Sequence, residues 1–279
     1  MVRSDLKTMI FLDKELSQKL ERTEARANAD FVGTRARVEP ASGASWIEVG
    51  GAYAMFDGVE SPLTQTFGLG IFEDATDEHL DEIEAFFNER DAPVFHEVSP
   101  LTDPSLMEML STRGYRPIEL TSVMYREMDG QSFDLRLRKA SLTTRVAGPD
   151  EIDLWAQTSA DGWASEHEGQ AEFMFNFSRI GAQCDGSFPY LAELDGKPIS
   201  TGSLFIYDDI CMLAGASTIP EGRNNGAQTA LLEDRLRFAA SRGCKLAIMG
   251  AAPGSQSQKN AQKNGFQIAY TRTKWQLTK

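Results

Sequence analysis

Cysteine and histidine are both scarce, with three of each in 279 residues. Cys184, Cys211 and Cys244 are odd in number, far apart, and form no CxxC pair. That spacing excludes a disulfide framework and a zinc knuckle and points to a reducing compartment. His79, His96 and His167 are too scattered for a histidine-based metal centre, so no metal is expected. Long apolar runs are missing as well. The run at residues 9–12 is broken by Asp13, and is too short for a signal peptide or a membrane span. The expectation is a soluble, cytoplasmic protein, monomer or homodimer. Basic residues are in the minority, with Lys+Arg 28 against Asp+Glu 41 and a net charge of −13. A surface of that sign argues against nucleic acid or an anionic membrane as partner.

What is present suffices for a folded enzyme. The length is comfortable for two domains, and 41% hydrophobic residues can fill their cores. Apolar spacing predicts helices over residues 13–31, 77–90 and 104–113, with Asp77 as an N-cap. Strands are expected at 37–40, 45–49, 53–56, 64–72, 94–98 and 116–127. Residues 128–132 are polar and turn-prone, and 136–139 form a short basic patch. The chain therefore reads as a first domain over 1–130, a linker over 131–142 and a second domain over 143–279.

In the second half, helices are expected at 150–163, 172–179, 229–240 and 255–264. Strands are expected at 143–146, 189–193, 199–207, 210–216, 245–249, 266–270 and 273–277, with a hairpin across Asp195-Gly196. The halves repeat one another at an offset of 151 residues. Gly114-Tyr115 falls on Gly265-Phe266, and the helix at 77–90 falls on 228–241. The agreement is one of pattern and spacing, and it suggests a tandem duplication. The fold class is α/β, with a mixed, mostly antiparallel sheet flanked by helices in each half.

The chemistry points to the turn at residues 223–226. An apolar strand leads in, and an amphipathic helix leaves. Between them stand Arg223, Asn224, Asn225 and Gly226. Such a turn sets backbone N–H groups and a positive helix end around a phosphate. Its counterpart in the first half is Phe72-Glu73-Asp74-Ala75, whose two carboxylates would repel one. One anion site is expected, in the second half.

Arg223-x-x-Gly226, after Pro220-Glu221 and between a strand and a helix, resembles the acetyl-CoA signature of the GNAT superfamily of N-acetyltransferases. Gly265-Phe266 after a short polar helix resembles that superfamily's second landmark. The resemblance covers the second half and, through the repeat, the first, making the whole similar to a tandem GNAT protein. It implies that Ser217, Thr218 and Ile219 offer backbone groups to the pantetheine arm of acetyl-CoA. It also implies that Arg223, Asn224, Asn225, Gly226, Ala227, Gln228 and Thr229 surround the pyrophosphate, with the helix near Asn260 beside the pantetheine or the thioester. The sequence departs from the family pattern twice: Gln228 stands where glycine or alanine is usual, and Ala261 where many members carry a tyrosine acid.

The implied reaction is attack of an amine on the acetyl carbonyl in a ternary complex, which needs a base. Glu166-His167-Glu168 is the leading cluster, with His167 held near a useful pKa. Asp208 and Asp209 are further carboxylates in a strand turn, and Tyr270 is the nearest tyrosine to the second landmark. Phe173, Phe175 and Phe177, with Trp155 and Trp163, suit core packing or an apolar acceptor pocket. The leading function is acetylation of a small-molecule amine. A non-catalytic acyl-CoA sensor and a protein N-acetyltransferase are the alternatives.

Overall fold

Asp13 starts the longest helix, α1 (Lys14–Val38), by accepting a hydrogen bond from the Leu16 N–H at 2.8 Å. A computed structural model describes residues 11–128, 139–164 and 169–278. α1 runs further than its apolar pattern predicts and absorbs residues 37–38, which the sequence reads as strand. Its late turns stay helical because they are packed: Phe31, Val32 and Thr34 are buried.

β1 (Ser45–Val49) and β2 (Ala52–Phe56) form a hairpin, joined by β3 (Gln65–Phe67), α2 (Asp77–Asn88), β4 (Phe95–Val98), α3 (Ser105–Thr112) and β5 (Tyr115–Glu127). The N-cap of α2 is Thr76 rather than Asp77, since the Thr76 hydroxyl accepts from the His79 N–H. β3 is much shorter than the strand expected at 64–72. Gly68 and Gly70 have positive φ and turn the chain out of the sheet.

The second half follows as β6 (Leu142–Val146), α4 (Ile152–Ala164), α5 (Ala171–Gly181), β7 (Ser187–Leu194), β8 (Lys197–Tyr207), β9 (Ile210–Thr218), α6 (Ala227–Ser241), β10 (Leu246–Ala251), α7 (Gln256–Lys263) and β11 (Gln267–Leu277). Asp150 lies in a 3-10 turn before α4, and the entry is closed instead by Glu151, which accepts from the Gly148 N–H. The strand-like phenylalanine spacing at 173–177 is overridden by helix α5. The two strands expected at 266–270 and 273–277 are one continuous strand, β11.

That last difference has a topological cause. Among the described residues, the eleven strands form one sheet in the order β1-β2-β3-β4-β11-β5-β10-β9-β8-β7-β6. β11, from the second half, lies between β4 and β5 of the first. β5 lies between β11 and β10 of the second. Each half thus supplies the strand that completes the other, and no further hairpin is needed at the C-terminal side. The exchange is symmetric in detail. The β5–β11 ladder is bulged at Ala269 and at Ile118, positions 151 residues apart, which is the repeat offset. α3 and α7 also coincide under that offset, residue for residue.

Helices cover both faces. α6 and α7 pack on Met124, Leu204, Cys211 and Leu213, while α2 and α3 pack on Val98, Tyr115 and Trp275 of the same face. α1 and α5 cover the opposite face over Val123, Tyr125, Phe205 and Met212, with α4 beside them over Leu191. The cluster under α1 and α5 runs from one half to the other, while on the opposite face the core divides in two.

Candidate active site

β9 and β10 run parallel and pair only at Leu246/Ile210, Ala247/Cys211 and Ile248/Met212. Beyond Met212 they part. The gap widens into a cleft of about 1060 Å³ between residues 213–218, residues 249–252, the start of α6 and helix α7. Gly162 and Trp163 of α4 line it from the other face, so the opening passes through the sheet.

The local chain makes one wall irregular. Ser203 pairs with Ala214, and Thr201 with Ser217, so Gly202 faces both Gly215 and Ala216. Gly215 has φ +58° and forms this bulge at low steric cost. A bulge leaves the ladder locally unpaired and re-aims backbone groups, here towards the cleft. On the far side α4 approaches closely, because Gly162 has no side chain. A Cβ there would lie 2.5 Å from Ser217 Oγ.

At the cleft's outer end, Asn224 and Gly226 are both left-handed (φ 62° and 82°), the kind of backbone that builds anion-binding concavities. Gly226 caps α6, whose first turn has neither a capping side chain nor an acidic residue. The amides of that turn are therefore not taken up by a side-chain cap. Among the described residues, the only charged side chains lining the cleft are Arg223, Arg235 and Lys263. In a chain of net charge −13, that is a local reversal of sign.

Ser217, Thr218, Arg223, Asn224, Gly226, Ala227, Gln228, Thr229 and Asn260 all line this cleft. Gln228 turns away from the anion turn. Its amide donates to Thr218 Oγ1 at 2.8 Å and to Ser200 Oγ at 3.1 Å, stitching α6 to β8 and β9. Ile219 and Asn225 support the wall without lining it. The Ile219 N–H donates to the Ile199 carbonyl. Asn225 donates to the carbonyls of Gly222 and Arg223, and accepts from Lys139 Nζ at 2.6 Å. Asn260 accepts from Gln256.

Other candidates are elsewhere. Glu166 and His167 lie outside the described residues, which stop at Ala164 and resume at Gly169. Tyr270 is buried under α1, two strands from β10, and donates to Glu21 Oε1 at 2.8 Å. Burial, and then the Glu21 carboxylate, push its phenol well above the usual range. It does not line the cleft. Asp208 and Asp209 sit at the opposite end of β9 and pair with Arg26 and Lys245. Phe177 packs on Phe31 of α1, and Trp155 donates to the Tyr190 carbonyl in the core. Of the aromatic group only Trp163 reaches the cleft. Ala261, where a tyrosine would be familiar, is buried against α6 and β10.

In the first half, apolar side chains are buried at the corresponding place. Leu69 and Ile71 fill the space beyond the β3–β4 pair, and Gly70 packs against Leu106. The α2 terminus is capped by Thr76 and carries Asp77 and Glu78. Sequence reasoning missed Gly162, Gly215, Arg235 and Lys263 in the second-half cleft. Gly162 and Gly215, glycines inside helix and strand patterns, were the signals of close approach and bulge.

Residues 152–266 match the model of the acetyltransferase (GNAT) family. No curated protein matches the chain. Solved structures similar to it include a GCN5-related N-acetyltransferase from Kribbella flavida, at 15% identity and TM-score 0.62, covering 90% of this chain and 96% of that one. A tandem GNAT protein from the clavulanic acid biosynthesis pathway aligns over 95% of both chains at 13% identity and TM-score 0.59. A GCN5-related N-acetyltransferase from Sphaerobacter thermophilus aligns at 16% identity and TM-score 0.55, covering 81% of this chain and 76% of that one. At such identities these likenesses show the fold.

Proposed function

We propose that this chain, whose residues 152–266 are a GNAT acetyltransferase domain, moves an acetyl group from acetyl-CoA to the amine of a small molecule in the cytoplasm, by direct attack in a ternary complex. The observation that carries this reading is the cleft where β9 leaves β10. It combines a helix N-terminus without a side-chain cap, two left-handed residues and the exposed cations Arg223 and Lys263, with no carboxylate in the described lining. That donor set fits a pyrophosphate. The edge of β9 beyond Met212 fits an extended arm carrying amides.

Acetyl-CoA supplies an acyl group already activated as a thioester. The chain's own residues do the rest. The amides of 224–229, with Arg223, hold the pyrophosphate. Ser217 and Thr218 align the arm. A backbone N–H at the β9 bulge polarises the acetyl carbonyl. The amine enters by the inner mouth, next to Trp163, and Glu166 and His167 are the candidate bases. Fixing both partners in one cleft contributes much of the rate.

A second reading has its own observation. Ala261 is buried and no tyrosine lines the cleft among the described residues, so no phenol is placed to protonate the departing sulfur. A thiol with a pKa of about 8.5 leaves tolerably as the thiolate near neutral pH, which keeps catalysis open. An acyl-CoA sensor would also tolerate that arrangement. Titration calorimetry with acetyl-CoA, followed by a free-thiol release assay on amines and on peptides, decides. Binding with turnover on a small amine is the expected result. Binding without turnover supports the sensor, turnover only on peptides supports a protein acetyltransferase, and absence of binding defeats all three.

A further inference from the structure

Arg235, two turns into α6, is 3% exposed yet faces no carboxylate among the described residues. Its charge is felt mainly by Cys211 and Tyr190, and burial lowers its pKa to about 10, so it stays a cation at neutral pH. A buried, unpaired guanidinium is costly unless its donors are used. Here they are used on backbone. Nε donates to the Leu231 carbonyl at 3.2 Å within its own helix. Nη1 donates to Ser203 O at 2.8 Å on β8 and to Ala214 O at 3.4 Å on β9.

Those two carbonyls belong to the last regular pair before the β9 bulge. The guanidinium lies on Gly202, the residue that faces the two bulged positions. A Cβ on Gly202 would be 2.8 Å from Arg235 Cζ. The group therefore spans the point where β9 takes its extra residue, on the side where Ala214 and Gly215 line the cleft. One nitrogen, Nη1, bridges both carbonyls, and the Nε bond to the Leu231 carbonyl fixes the plane of the guanidinium that presents it. The first half supplies the contrast. At the repeat offset the equivalent residue is Glu84, which instead accepts from Arg113 and Tyr115.

We infer that Arg235 is a positioning residue that pins the β9 bulge, so that the backbone N–H of the bulged segment is held facing the acetyl carbonyl of the bound thioester. It does not touch the reacting atoms. It acts through Ser203 and Ala214, by preventing the extra residue from relaxing into the ladder with β8. The inference rests on the acetyl-transfer reading for its chemical meaning but not for its structural claim.

The test uses the intact chain with Arg235→Met, and with Arg235→Lys should the first variant not fold. In the free protein, amide exchange over residues 213–217 is expected to rise about tenfold or more, with α6 and β7 unchanged. With [13C=O]acetyl-CoA bound, the carbonyl infrared band of the wild type should lie below its solution position, and the variant should lose that shift. Affinity for CoA itself, held by the helix N-terminus, should stay within about threefold, while kcat falls about 100-fold. A merely structural arginine would not separate the carbonyl band and kcat from CoA affinity. Unchanged exchange over 213–217 in a folded variant, or a carbonyl band identical to wild type, overturns the inference. If the wild type binds no acetyl-CoA, the acetyl-transfer reading fails, and the exchange experiment still decides whether Arg235 pins the bulge.

Discussion

Replacing Gly162 by alanine would place a Cβ 2.5 Å from Ser217 Oγ, 2.7 Å from Ser217 Cβ and 3.0 Å from the Thr218 nitrogen. The hydroxyl could rotate away, though it would abandon its bonds to the Ser159 carbonyl and Thr201. The Cβ and the backbone nitrogen cannot, so α4 must back away from β9. Overpacking of this kind costs about 1–3 kcal/mol. For a chain of this size each kcal/mol lowers Tm by about 2–4 °C, so a fall of roughly 2–12 °C is expected. The strain falls on Ser217 and Thr218, in the wall of the cleft, and acetyl-CoA affinity should drop about tenfold, the factor that corresponds to about 1.4 kcal/mol. The assay is a thermal melt with calorimetry. Gly33→Ala, where an added Cβ meets nothing within 4 Å, is the control, and should gain up to about 1 kcal/mol in helix propensity. Adding Ser217→Gly to Gly162→Ala removes two of the three clashing atoms and should recover part of the loss. Gly162→Ala melting like wild type, or no recovery in the double variant, would refute the close approach and its link to the cleft.

Arg223→Glu should weaken acetyl-CoA binding about tenfold or more, and the loss should shrink at high salt, since it reverses a charge beside the anion turn. Glu21 is fully buried between Arg272 and two further carboxylates, Glu24 and Glu97, and burial pushes its pKa from 4.5 to about 7. The folded chain then holds a proton that the unfolded chain releases, so stability is full below pH 4.5 and is lost as pH rises through 7. Glu21→Gln should therefore be more stable than wild type by roughly 2–3 kcal/mol near pH 8 and equal to it near pH 4, read by denaturant melts. His96 has the opposite sign. It is fully buried, neither ring nitrogen has a partner among the described residues, and burial lowers its pKa from 6.5 to about 3. Its contribution is present above pH 6.5 and lost as pH falls toward 3. His96→Met should raise stability by about 1–3 kcal/mol and flatten the acid limb; an unchanged acid limb would show that His96 is not the group responsible.

Sequence alone determined the units and their order. Amphipathic spacing placed α2, α6 and α7, and the Asp195-Gly196 turn placed the β7–β8 hairpin, because those signals are local. The repeat offset was legible for the same reason, and it brought the anion turn and its acidic counterpart into register. The cleft-lining residues 217–218, 223–224 and 226–229 were legible in part, since a strand, a turn and a helix N-terminus follow one another along the chain. Tertiary structure alone decided three things. The exchange of β5 and β11 depends on ladders between distant segments, and it turned two expected strands into one. The rejection of Tyr270 from the cleft depends on which strand stands between, which no spacing records. The roles of Gly162, Gly215 and Arg235 depend on distances between α4, α6, β8 and β9 that come from packing the helices on both faces of one sheet. A motif can be written in consecutive residues, but the wall that faces it has to be folded into place.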